Sequence, residues 1–547
     1  MLRISEIKVP VGPPEAERAA LEARLKKLFR GRLPAYQIVR HGLDARKKPQ
    51  IFSVYTVDAA WGSPEQEKAF CERNRALKAA PVQEKRYQPP RFEGKAAPHV
   101  TVVGAGPAGL FAALILAKAG LAPLLIEQGA PVEERQQDVE RFWEGGPLKP
   151  WSNVQFGEGG AGTFSDGKLS SGIRDADGRI AWMLDAFIRA GAPESIRYEA
   201  KPHIGTDVLR RVVKGLREEI LASGGQILFH TRLTDLVIGD GRVCGIVTEN
   251  TETQEWRETG TDALILAPGH SARALFRLLR EKGAAMESKP FAMGVRIQHP
   301  QAQIDALQYG EGAPDLLPAA DYKLTASAAD GRGVYSFCMC PGGYVVNASS
   351  EAGRLCVNGM SDAARDGENA NAALAVQIRP EDTAEAGLFG GMELQEKLET
   401  AAWRAGGGKI PLQLWGDFAA GEASRALGEV RPACRGEWAF ADLREVLPDF
   451  VTRALTDAMP HFARRLPGFD RPDALLCGVE SRTSSPVRIL RGAAGESSLR
   501  GLYPCGEGAG YAGGITSAAV DGMKTAEAVI TALARENCKK PEVRPLS

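Results

Sequence analysis

The chain has 547 residues, room at roughly 150 residues per domain for three or four units with a large buried core, which excludes a disulfide-stapled miniprotein. Lysine and arginine total 68, as do aspartate and glutamate, so the whole-chain charge gives no reason to expect nucleic acid or an anionic membrane as partner. Glycine is in excess at 61 residues, about 11% against a usual ~7%, and nine irregularly spaced cysteines suit reduced thiols in the cytoplasm better than a disulfide framework.

Glu6 and Lys8 interrupt the apolar run that an export signal requires. The run Leu110 to Ala117 is closed by Lys118, far short of the ~20 residues of a membrane helix, so a soluble protein is expected. Residues 1–90 read as a small α+β unit of ferredoxin-like type followed by a linker. It holds an alternating strand at Leu2–Val9, a charged amphipathic helix at Glu15–Phe29, extended runs at Tyr36–Val39 and Ile51–Val57, and a helix within 63–79. Asp44–Pro49 is a hairpin tip. Its basic cluster, Arg46–Lys48, reads as a solvated loop, with a contact to an anionic partner as the alternative. Pro89-Pro90 marks the linker, and a domain boundary falls near residue 95.

Residues 98–285 form the first part of a nucleotide-binding domain. A strand at His99–Val103 is followed by a glycine turn, a helix at Leu110–Ala119 and a strand at Ala122–Ile126. Further strands at Gln226–Phe229, Arg242–Thr248 and Ala263–Ala267 are assigned to the same sheet-based domain. Residues 286–498, with alternating strands such as Gly333–Cys338 and Tyr344–Ala348, read as an inserted mixed α+β substrate domain. Residues 499–547 return the chain to the first domain through a strand, turn and helix beginning at Leu502. The fold class is therefore α/β, with a discontinuous Rossmann-type domain carrying an insert.

The fingerprint Gly104-Ala-Gly106-Pro107-Ala108-Gly109 follows its strand directly and opens the helix, and Glu127 ends the next strand 23 positions on. Gly104 permits the tight turn, Gly106 lets backbone amides approach a pyrophosphate, and Gly109 allows helix and strand to touch. Glu127 is placed to accept from both ribose hydroxyls, and its charge would repel a 2′-phosphate. Two other stretches match the pattern formally. Gly157–Gly162 has no apolar strand before it and reads as a flexible glycine loop; Gly508–Gly513 has no further strand or ribose acid after it. Only one complete dinucleotide unit is present. Gly513-Gly514 instead opens a helix of small residues, against which something large can lie.

These pieces resemble the FAD-dependent dehydrogenases and oxidoreductases of the two-dinucleotide-fold, glutathione-reductase-like flavoprotein group, and within it a large uncharacterised bacterial branch. The resemblance spans nearly the whole chain. It is carried by Gly104–Gly109 with Ala113, Ala117, Gly120 and Glu127, by Gln155–Thr163, by Ile265–His270 and by Gly506–Ile515. It implies one non-covalent FAD, with Gly160, Gly162, Thr163 and Gly269 among its contacts and the strand around Leu233 beside adenine. Gly506, Glu507, Gly514 and Ile515 are implied at the ribityl-phosphate and flavin, although Glu507 stands where much of the group has aspartate. With FAD bound, the helix from Gly514 would aim its amides at the flavin N1/O2 edge. The implied activity is two-electron transfer at flavin N5 on a small-molecule substrate. A flavin monooxygenase and a non-enzymatic flavin-dependent partner-binding protein are the alternatives, and NAD(P)H or another electron donor would dock transiently.

Three residues are candidates for catalysis. Cys338 and Cys340 would share one side of a strand, approaching a flavin or acting as buried structural thiols. Arg482, in the polar loop Glu480–Arg488, offers a planar fork to a carboxylate substrate, or an ordinary ion pair. His270 has no partner acid nearby in sequence. No metal is expected: the histidines at 41, 99, 203, 230, 270, 299 and 461 form no HxxxH pattern and no paired CxxC occurs. Neither a nucleophile elbow nor a phosphate loop ending in Gly-Lys-Ser/Thr is found.

Overall fold

The computed structural model describes residues 1–75, 78–82, 85–94 and 97–539. The boundary expected near residue 95 lies outside the described residues.

The chain begins with β1 (Leu2–Pro10), α1 (Pro14–Leu28), β2 (Tyr36–Lys47), β3 (Gln50–Ala59), α2 (Pro64–Arg73) and the short β4 (Ala80–Pro81). The strands form one antiparallel sheet in the order β2-β3-β1-β4. In β1, Leu2 and Ile4 face the core, as do Ile7 and Val9; a bulge between Ile4 and Ile7, with Glu6 at φ 61°, shifts the alternation by one residue. Helix α2 is shorter than the span expected. Ser63 and Gln66 cap its start, and the Asn74 side chain donates to the Phe70 carbonyl at its end. The hairpin tip is also tighter than expected, because Asp44 accepts from Lys8 and Arg46 and both strands run on to Lys47 and Gln50.

That tip is not a free basic loop. Lys48 Nζ donates to the carbonyl of Leu307, and Gly310 packs on Lys48. In the middle of β2, the His41 N–H donates to Tyr198 O and Ala200 N–H to His41 O. The first unit is thus fastened to two separate parts of the molecule.

The next run is β5 (Val100–Val103), α3 (Pro107–Lys118), β6 (Leu124–Ile126), α4 (Val132–Trp143), α5 (Arg179–Arg189), α6 (Thr206–Ala222), β7 (Gln226–Leu228), β8 (Thr231–Gly239), β9 (Arg242–Asn250), β10 (Trp256–Gly260), β11 (Ala263–Leu266) and α7 (Arg273–Glu281). Strands β5, β6, β7 and β11 belong to a five-stranded parallel sheet, with β11, β5, β6 and β7 in that order. Every residue of β5 and β11 is buried, as a sheet covered on both faces demands. Val100, Val102 and Ile265 pack against the helices, whereas Val103, Leu264 and Leu266 meet β8 and β9. Arg242–Thr248, expected in the same sheet-based domain, lies in a separate antiparallel sheet of β8, β9 and β10. Asp240 and Gly241, both at positive φ, make a two-residue turn that returns β9 directly beside β8.

The chain leaves this domain at β12 (Met286–Ser288) and continues through β13 (Phe291–Pro300), α8 (Gln301–Tyr309), β14 (Thr325–Ser327), β15 (Gly333–Cys340), β16 (Tyr344–Asn347), β17 (Val357–Met360), β18 (Asn369–Ile378) and α9 (Gly390–Ala405). There follow β19 (Ile410–Leu414), α10 (Trp415–Ala420), β20 (Cys434–Arg435), β21 (Trp438–Phe440), α11 (Asp449–Arg465) and β22 (Leu475–Glu480), then β23 (Val487–Ile489), which pairs with β12. A seven-stranded sheet in the order β14-β15-β18-β13-β22-β19-β21 dominates this region, with the smaller sheet β17-β16-β20 beside it. Finally β24 (Leu502–Pro504) adds to β11 as the fifth parallel strand, and α12 (Ile515–Lys539) packs on α3. Their approach is close: a Cβ on Gly522 would lie 2.0 Å from Ala108 O. No helix among the described residues is long and apolar enough to cross a membrane.

Candidate functional site

Each fingerprint glycine meets a local demand. Gly104 has φ 96°, and a Cβ there would stand 2.2 Å from Ala267 O. A Cβ on Gly109 would lie 1.7 Å from Gly104 O, so helix and turn touch only because it is glycine. Gly106 caps α3 without a side chain, leaving the helix amides open. Glu127, at the tip of β6, is buried and held in place: Oε2 accepts from Ala105 N at 2.8 Å, and Oε1 from Gly129 N at 3.0 Å and Gly157 N at 3.1 Å.

The loop containing Gly157–Gly162 is anchored rather than flexible, which corrects the expectation. The buried Arg135 on α4 donates from Nε to Asn153 O, from Nη2 to Val154 O and from Nη1 to the carbonyls of Gly157, Glu158 and Gly160. Gly159 N–H donates to Ala105 O, pinning the loop to the fingerprint. Sequence reasoning missed Arg135. The available signal was its spacing on α4, which aligns it with the buried Val132 and Val139. Within the same loop, burial pushes the Glu158 carboxyl up to about 7 against the opposing pull of Val132 N–H and Arg217.

These elements border a cleft of about 2220 Å³. Gly104, Gly106, Pro107, Ala108, Glu127, Gly160 and Gly162 line one side, with Leu233 of β8 toward one end. Gly269, Gly506, Glu507, Gly514 and Ile515 line another. Gly109 and Thr163 do not reach it: Gly109 packs on the turn, and the Thr163 hydroxyl donates to Glu158 O. A Cβ on Gly269, Gly513 or Gly514 would meet nothing within 4 Å. The cleft wall is therefore bare backbone along the stretch where a long ligand would lie. His270 has the partner acid that sequence proximity did not reveal, its Nδ1 being 3.4 Å from Glu507 Oε1, while its buried Nε2 has no hydrogen-bond partner. An uncapped helix start, a glycine-walled groove, a fixed acid and an orphan donor or acceptor fit an elongated dinucleotide.

The three catalytic candidates fare differently. Cys338 faces the cleft at φ 43°, and the register of β15 slips between Phe337 and Cys340, so the strand alternation that would place both thiols on one side is broken. Cys340 donates to the carbonyl of Cys338, not to its sulfur, and is buried, whereas Cys338 is exposed toward the cleft. Arg482 is not available to a substrate carboxylate either: it donates to both oxygens of Glu399 and to Ser350 Oγ. The remaining arginine of its loop, Arg488, pairs with Glu287. At the surface, His230 lies 3.3 Å from Glu134 and 3.7 Å from Glu252, a grouping from three segments that local spacing could not show.

The fold and cleft define an α/β nucleotide-binding flavoprotein. Residues 98–136 match the family described as FAD binding domain, residues 290–483 the one described as FAD-dependent protein, C-terminal domain-like, and residues 1–60 a domain of unknown function. An uncharacterised protein of Clostridium beijerinckii is 46% identical over 508 residues, covering 90% of this chain and 92% of its own. The chain belongs to the same family of FAD-dependent proteins as this relative, and its cofactor is FAD. Among solved structures, glycerol-3-phosphate dehydrogenase from Bacillus halodurans complexed with FAD is 11% identical with a TM-score of 0.37, covering 82% of this chain and 66% of its own. A single-site variant of the E. coli quinol fumarate reductase subunit FrdA is 12% identical with a TM-score of 0.37, covering 82% of this chain and 72% of its own.

Proposed function

We propose that the chain catalyses two-electron transfer between FAD and a small-molecule substrate, as a dehydrogenase or reductase. One observation carries this reading: the groove that begins at Gly104 and Glu127 continues past the start of α12 to the inserted sheet, where Tyr322, Cys338 and Glu480 line it. Its volume is more than twice the ~1,000 Å³ upper range of a single ligand pocket, which leaves room for a second molecule beside the cofactor. FAD, when bound, supplies hydride or two-electron transfer at its N5.

The chain's own residues bind and orient. Glu127, fixed by three amides, accepts from the ribose; the α3 amides and the glycine loop hold the pyrophosphate; Gly506, Glu507, Gly514 and Ile515 carry the ribityl and flavin end. We assign the reading of residues 1–90 as a ferredoxin-like unit to the same proposal, supported by its βαββαβ element order. An electron donor such as NAD(P)H would dock transiently.

Purified protein should be yellow and carry about one FAD per chain, and anaerobic exposure to a metabolite panel should bleach the flavin band for some member. Protein that stays colourless after FAD addition and desalting overturns the cofactor role. Reoxidation by oxygen that is fast and coupled to substrate oxygenation overturns the dehydrogenase assignment.

A further inference from the structure

Two cysteines of the insert, Cys434 on β20 of the smaller sheet and Cys477 on β22 of the larger one, share a single hydrogen-bond donor. Gln298 of β13 donates from Nε2 to Cys477 Sγ at 3.3 Å and to Cys434 Sγ at 3.7 Å, one N–H for each sulfur. The other end of that amide is fixed as well. Its Oε1 accepts from Ala433 N at 3.0 Å and from Asn369 Nδ2 at 3.1 Å, and two donors on the oxygen settle which end faces the sulfurs. Contact with the Cys434 thiol is the chief cause holding the Cys477 thiol well above its ordinary range, with burial adding to it.

Strand pairing fixes both backbones. Cys434 lies opposite Val345, whose N–H donates to Ala433 O, and Cys477 sits inside the larger sheet between Arg296 and Leu412. Neither sulfur has another hydrogen-bond partner among the described residues. The two differ in access. Cys477 is buried, whereas Cys434 is half-buried and lines a second cavity of about 520 Å³ with Trp143, Arg435 and Trp438 around it. That cavity shares no lining residue with the cleft. A small dissolved oxidant therefore meets Cys434 first, and Cys477 stands behind it as the thiol in place to respond.

We propose that Cys434 and Cys477 form a reversible thiol–disulfide site that takes hydrogen peroxide as its oxidant. The peroxide converts the Cys434 thiol to a sulfenic acid and releases one water. The Cys477 sulfur then attacks that sulfur, the S–S bond forms, and the hydroxyl leaves with the Cys477 proton as a second water. Two thiols lose two electrons in all, and one peroxide becomes two waters; a dithiol reductant reverses the bond. The inference does not depend on the flavin reaction. The bond joins the smaller sheet, whose β17 brings Asn358 and Gly359 to the cleft, to the strand that ends at Glu480 in the same cleft, so two separately paired parts of the cleft wall become one.

The test treats the full FAD-loaded chain with hydrogen peroxide, blocks the remaining thiols with iodoacetamide in denaturant, and maps the peptides without reduction. A peptide pair linked through Cys434 and Cys477 should become the dominant form of both residues and should disappear with dithiothreitol. Iodoacetamide applied to the native protein before peroxide should label Cys434 ahead of Cys477 and prevent the link. Cys477→Ser should leave Cys434 as a sulfenic acid that dimedone traps, and Cys434→Ser should leave Cys477 a free thiol after peroxide. Cys434 oxidised with no linked peptide, either cysteine linked chiefly to a different one, or both thiols still free after peroxide overturns the site. The map of the natural chain decides between these outcomes by itself, so misfolding of either serine variant does not rescue the proposal.

Discussion

Arg482 donates from Nε to Oε1 and from Nη2 to Oε2 of Glu399, both at 2.9 Å, with both side chains sealed from solvent. Arg273 grips the same two oxygens at 2.8 and 2.9 Å, and Ser481 Oγ adds a fifth hydrogen bond. The cluster joins α7, α9 and the segment after β22, and so ties the nucleotide-binding sheet to the insert. Glu399→Gln leaves two buried guanidinium groups sharing a neutral amide. Urea unfolding should show a loss of about 3–5 kcal/mol.

The same carboxyl sets a pH dependence. Burial alone would raise it, but the two guanidinium groups hold Glu399 well below the usual carboxylate range. The unfolded chain therefore binds a proton first as pH falls below ~4.5, so the stabilisation is complete above that pH and declines beneath it. In Glu399→Gln the slope of unfolding free energy against pH below ~4.5 should be shallower than in the natural chain.

His299 acts in a higher window. Burial is the chief cause pushing it down to about 4, although its Nε2–H donates to Phe469 O at 2.7 Å. The unfolded histidine titrates near ~6.5, so between there and pH 4 the unfolded state takes up a proton that the fold refuses. Stability should fall by about 3 kcal/mol across that interval. His299→Gln should remove this part of the slope, as measured by urea midpoints at a series of pH values.

Arg135→Met strips the donors from five loop carbonyls. Limited proteolysis should then cut within 153–162, FAD should bind at least 10-fold more weakly, and Arg135→Lys should not rescue either property, because an ammonium cannot reach five acceptors at once.

Gly513→Val separates cofactor binding from folding. A Cβ there meets nothing within 4 Å and points into open cleft. The thermal midpoint should move little while FAD retention through desalting drops; an unchanged flavin content would remove Gly513 from the cofactor wall.

What could be read in the chain was whatever depends on near neighbours. The fingerprint was legible because Gly104, Gly106 and Gly109 each answer a constraint set within a few residues, and Glu127 ends the very next strand. The errors share the opposite property. Arg482 and Glu399 are 83 positions apart, so the acid that engages this arginine could not be named from its loop. Cys338 and Cys340 were assigned by strand alternation, which a bulge defeats.

The hairpin of the first unit has one further consequence. It is stitched at His41 to the segment around Ala200 and at Lys48 to Leu307, seven residues later. Extended backbone at about 3.3 Å per residue makes this a strut of roughly 20 Å between the two sides. Residues 40–46 and 48 of that hairpin line the cleft, so part of its wall is paired β-structure. Lengthening or trimming that hairpin should change which small molecules enter the cleft while leaving the hold on FAD intact.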